Sequence, residues 1–99
     1  MDTIEVTLNE SDMHDFLSEG LTPDKTREAI VQYCQAYRKL IEEVYPGVEV
    51  TVEAGPTPMG TVIRVDGTTH AYGDLVADTI EVVTSLADRL VNDWSWLTI

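Results

Sequence analysis

The chain has 99 residues, 43% of them hydrophobic, with 18 acidic side chains against 6 basic ones and a formal charge of -12 at pH 7. That charge excludes ordinary nucleic-acid binding, which needs a basic footprint to replace counterions, and the apolar content excludes a disordered acidic tail. The length fits one domain, residues 1–99, with a modest core.

Residues 3–8 alternate strictly: Ile4, Val6 and Leu8 share one face, and Thr3, Glu5 and Thr7 the other, as in a half-buried strand. The polar stretch from Asn9 to Asp12 ends it. Ser11 or Asn9 is positioned to cap a short helix over about 12–19, with Met13, Phe16 and Leu17 inward and Gly20 as its stop. Thr22-Pro23-Asp24 is a strong helix start: a capping hydroxyl, a proline at the first helical position and an acid at the positive dipole end. Ala29, Ile30, Tyr33, Cys34, Tyr37, Leu40, Ile41 and Val44 then recur with helical period, and Pro46-Gly47 closes the segment.

Residues 48–53 alternate again with valines inward, and 61–66 read as the returning strand of a hairpin across the turn-forming loop 54–60. Asp66-Gly67 is turn chemistry, and a threonine after it is a candidate cap. From about 71 to 93 the pattern is helical, with Val76, Ile80, Val83, Leu86, Ala87, Leu90 and Val91 as its apolar stripe. The tail 94–99 alternates and reads either as a short last strand or as an apolar cap on the core.

The order β-α-β-β-α, with an optional final β, predicts an α+β fold. The expected architecture is a two-layer sandwich of the split βαβ or ferredoxin-like kind, with strand 3 between strands 1 and 2. Two helices would cover one face of an antiparallel sheet of three or four strands, leaving the other face open.

The spacing of the acids points to function. Asp74, Asp78, Glu81 and Asp88 fall on one helical stripe opposite the apolar one, a row of roughly 21 Å at helical rise. Glu5, Glu49, Glu53 and Asp66 are expected on the open sheet face beside Arg64, with Glu49 and Glu53 roughly 13 Å apart. These eight acids are the candidate partner-binding residues. A third cluster is Glu10, Asp12, Asp15 and Glu19; the first long helix is more balanced, with Arg27, Arg38 and Lys39 offsetting Glu28, Glu42 and Glu43. Solvated acids of this kind also serve solubility alone.

No catalytic, cofactor-binding or metal-binding set stands out. His14 and His70 lie far apart with no ligand spacing, there is no nucleophile motif, and the two prolines in 55–60 remove amides that a phosphate would need. Cys34 lies on an apolar helix side and reads as a reduced core residue. The N-terminus lacks a basic and apolar leader, and no apolar run reaches membrane length, so the expectation is a cytoplasmic non-enzyme without membrane partners.

In size, acidity and lack of a catalytic site the chain resembles the small phage- or plasmid-encoded DNA mimics of the anti-restriction and anti-CRISPR type. The segment Val65-Asp66-Gly67-Thr68-Thr69-His70 followed by the acid-striped helix draws the resemblance. It implies an inhibitor that occupies a basic groove of a CRISPR effector or restriction complex, host-cytoplasmic if phage-encoded, without touching nucleic acid. The alternatives are an ordinary domain of a salt-loving organism, in line with arginine exceeding lysine, and an assembly protein forming a homodimer through the Trp94/Trp96 tail or a sheet edge.

Overall fold

The computed structural model describes residues 2–18, 20–57, 60–71 and 78–98. In chain order the elements are β1 (Thr3–Asn9), α1 (Glu10–Leu17), α2 (Pro23–Val44), β2 (Glu49–Gly55), β3 (Val62–Val65), β4 (Thr68–Ala71) and α3 (Asp78–Asn92). A 3-10 turn, Trp94–Trp96, follows. The fold is α+β, as the sequence pattern implies.

β1 is the organising element. Ile4, Val6 and Leu8 are buried to 0%, 1% and 4% exposure, and a fully buried aliphatic side chain contributes about 1.5–3 kcal/mol. A strand buried this deeply needs neighbours on both sides, and it has them. β2 pairs with it in parallel, Thr3 against Glu49 through Asn9 against Gly55. β3 pairs with it antiparallel, Ile4 against Val65 through Thr7 against Val62. The sheet order is β2-β1-β3-β4.

That order corrects the split βαβ expectation. Strand 3 does not lie between strands 1 and 2; β1 lies between β2 and β3, so the sheet is mixed and its strand order is not ferredoxin-like. β2 and β3 do not form a hairpin with each other; each pairs with β1. The hairpin is formed by β3 and β4. Its two-residue turn is Asp66-Gly67, with φ of +50° and +84°, the left-handed pair that a primed turn requires. Thr68 and Thr69 therefore continue into a strand rather than capping a helix. The tail does not form a strand either. The Asp93 side chain accepts from Ser95 N–H at 3.0 Å and starts the 3-10 turn.

The helices start where their caps say. Asn9 Oδ1 accepts from Asp12 N–H at 3.0 Å, and Thr22 Oγ1 from Lys25 N–H at 3.3 Å. α1 thus begins at Glu10 under an Asn9 cap, two residues earlier than its spacing suggested. Met13 and Leu17 are buried as expected, but Phe16, Val44 and Val91 are exposed. The inner faces of α1, α2 and α3 share one core with Ile4, Val6, Leu8, Val50 and Ile63, so helices and sheet form two layers. Tyr37 is the pin between the long helices: fully buried on α2, it donates its hydroxyl proton to the Val83 carbonyl of α3 at 2.6 Å. Val76, expected in the α3 stripe, lies outside the described residues.

Candidate protein-binding surface

α3 presents its inner face through Ile80, Val83, Leu86, Ala87 and Leu90, all buried. Opposite them Asp78, Glu81 and Asp88 are exposed and form no ion pair with a described residue. Asp74 lies outside the described residues. Asp78 and Glu81 occupy the first turn of the helix, where carboxylates complement the positive dipole end. Asp88 lies in the C-terminal half, just before the last turn, where the dipole lends a carboxylate no support. Helix stability therefore accounts for two of these acids and not for the third.

The open sheet face is only partly as anticipated. Glu5, Thr51 and Arg64 fall in one cross-strand row by register, and Glu5 is paired with Arg64 at 3.4 Å, both about half exposed. Glu49 and Glu53 on β2 are exposed and make no ion pair with a described residue. Asp66 is a structural acid. Its carboxylate accepts the backbone N–H groups of Asp2 at 2.6 Å and Thr3 at 3.0 Å, tying the start of β1 to the β3–β4 turn. Those two amides, that of Thr3 first, hold its carboxyl below the ordinary value of 3.8. Asp66 is thus withdrawn from the set of free contact acids.

The acids do not gather into one plate. The α3 row belongs to the helical layer, while Glu49 and Glu53 lie on the edge strand β2. Between them runs α2, which holds four of the six cations: Lys25, Arg27, Arg38 and Lys39. Arg27 pairs with Asp24, and Arg38 with Glu42 at 2.8 Å. The field is strongly negative on two faces and nearly balanced along α2.

Of the two tryptophans, Trp96 packs against the core and Trp94 is exposed. Trp96 donates its indole N–H to the Leu90 carbonyl at 2.8 Å and stands edge-on to Tyr33, with ring centres 5.3 Å apart. Trp94 stacks on Trp96 at 5.2 Å and meets Phe16 at 5.4 Å, leaving Phe16 and Trp94 as an exposed aromatic edge. Sequence reading missed this edge because it took Phe16 as inward.

His14 lies 3.9 Å from Glu10, and no group of three or more histidine, cysteine, aspartate or glutamate side chains suited to a metal ion occurs among the described residues. Burial, with a smaller effect from the nearby Glu53 charge, pushes the Cys34 thiol from 9.0 up to about 11, which disfavours the nucleophilic thiolate. Among the described residues no helix is long and apolar enough to cross a membrane. Comparison with protein families, curated proteins and solved structures finds no match.

Proposed function

We propose that this chain is an acidic protein-binding module that inhibits a nucleic-acid-binding complex by occupying its basic groove. The observation that carries the reading is Asp88 with Asp78 and Glu81. Three exposed carboxylates without an ion pair to a described residue stand on a helix whose other face is locked into the core, and one of them draws no support from its helix dipole. Rigidly spaced carboxylates present the kind of charge row that a phosphate backbone presents, and complementary fields accelerate association with a basic groove. A CRISPR effector or a restriction complex is the target class of choice, and the module carries out no catalysis of its own.

The test is displacement. Purified CRISPR effector and restriction complexes are incubated with labelled target DNA and increasing amounts of the chain. At least one complex loses its DNA, and added salt weakens the chain's inhibition, since exposed charges are screened. Reversal of Asp78, Glu81 and Asp88 to lysine weakens inhibition by at least tenfold while the circular dichroism spectrum is retained. DNA binding that is untouched across the panel, or a triple variant that inhibits as well as the parent, sinks the reading.

A further inference from the structure

β2 is the outer strand on one side of the sheet. Glu49 N–H donates to the Asp2 carbonyl at 2.9 Å. Backbone groups of successive strand residues face alternate sides, so Glu49, Thr51 and Glu53 turn theirs toward β1. Val50, Val52 and Ala54 turn theirs outward, where no strand among the described residues pairs with them. Proteins commonly blunt such an edge with lysine, proline, a bulge or short length. β2 has none of these: seven consecutive residues pair with β1 without interruption, and in Glu-Val-Thr-Val-Glu-Ala-Gly the guard against pairing is the charge of Glu49 and Glu53, which repels acidic strands and not basic ones.

Beside this edge lies a groove of about 440 Å³ between α1, α2 and β2. Its apolar lining is Ile30, Val31, Cys34, Val52 and Ala54, and Val31 is 54% exposed. Arg27 and Arg38 border the groove, each already paired with an acid of α2. The two sides of the edge therefore differ: a trough with an apolar lining on the helical side, bordered by Glu53, and the row of Glu49 and Glu53 that strand alternation gives the open side, neither in an ion pair with a described residue.

We propose that β2 accepts, by strand addition, an extended segment of a partner protein in which apolar residues alternate with lysine or arginine. The period of two sends the apolar side chains into the trough and the cations to Glu49 and Glu53. A second copy of this chain is a poor occupant. In an antiparallel pairing centred on Thr51, Glu49 of one copy meets Glu53 of the other. Centred on Val52, the two Glu53 side chains fall on a diagonal. Like charges so placed oppose pairing. The proposal deepens the function given above and rests on it only for the basic character of the partner.

The probe is a ten-residue peptide of alternating valine and lysine. Its controls are a peptide of five valines followed by five lysines and a peptide of alternating valine and glutamate. The isotopically labelled full chain binds the first saturably, and the Val52 and Ala54 amides become protected from hydrogen exchange. Both controls bind at least tenfold more weakly. Ala54→Pro removes an outward N–H and leaves the β1 ladder intact, a placement that edge strands tolerate; it costs at least tenfold in affinity. Val31→Glu, on an exposed helix position, costs a similar factor without altering the strand, and so covers the case in which the proline variant does not fold.

Equal binding of the alternating and block peptides, absent protection at Val52 and Ala54, or unchanged affinity in Val31→Glu overturns the proposal. So does protection of those two amides in a concentration-dependent dimer without peptide, which makes the second copy the occupant. Reversal of the α3 acids leaves the preference for the alternating over the block peptide unchanged, since both peptides carry the same charge. Peptide binding without DNA displacement thus sinks only the inhibitor reading, and displacement without peptide binding sinks only the strand-addition proposal.

Discussion

α2 and α3 solve the same packing problem with opposite charge arrangements. Each buries an apolar stripe in the common core. α2 matches acids with cations, through Asp24–Arg27 and Arg38–Glu42. α3 carries Asp78, Glu81 and Asp88 against Arg89 alone. Packing fixes the inner faces and leaves the outer ones free to vary. The first-turn acids Asp78 and Glu81 still support the helix dipole, so Asp88 is the acid of α3 that neither packing nor helix stability accounts for.

The comparison is broken most severely where the two helices meet. Tyr37→Ala removes a fully buried ring and the bond to Val83, and lowers stability by about 4 kcal/mol, a large share of what a small domain has. Tyr37→Phe keeps the ring and costs about 1 kcal/mol. Chemical denaturation measures both, and similar losses in the two variants would mean that the hydroxyl, not the ring, holds the helices.

The flank of α2 that faces β2 is tested by alkali. The Cys34 thiol ionises near 9.0 when unfolded and near 11 when folded. Between these values the unfolded chain loses its proton first, so stability falls as pH rises through that window. Cys34→Ser removes this part of the slope. A wild-type profile that is flat from pH 9 to 11 relative to the serine variant would show that the thiol is open to water.

The smallest effects sharpen the contrast between the outer faces. Asp88→Lys raises stability by about 0.3 kcal/mol and Asp78→Lys lowers it by about 0.5 kcal/mol, because they stand toward opposite ends of the α3 dipole. Arg38→Ala on α2 costs about 0.4 kcal/mol, as expected for an exposed pair one turn apart. Thermal unfolding at low salt resolves the signs. Equal effects of Asp78→Lys and Asp88→Lys would show that net charge, not position on the helix, governs this face.

Much of this was legible in the sequence where the signal is local. Strict alternation gave β1, and Thr22-Pro23 with a long helical stripe gave α2. Alternation says which residues face the core but not which strand lies alongside. The valines of 48–53 and 61–66 were therefore paired with each other, although both flank β1. Asp66-Gly67 was visible as a turn. Its hairpin was hidden because Thr68–Ala71 lacks apolar alternation. At the surface, exposure of the α3 acids followed from helical period. The withdrawal of Glu5 and Asp66 did not, since Arg64 and the amides of residues 2 and 3 reach them only through sheet register. The tail misled because Trp-Ser-Trp-Leu imitates a strand, while Asp93 bends it into a turn.

The central place of β1 has a consequence for biosynthesis. β1 is made before β2 and β3, and the partners of Ile4 are Val50 and Val65. Such distant pairings close slowly, and an apolar segment waiting for them invites wrongful association. Until synthesis has passed Val65 the nascent chain must shelter Ile4, Val6 and Leu8 without the full sheet to hold them. Mutual repulsion among the carboxylates that accumulate behind them keeps neighbouring nascent chains apart during that interval.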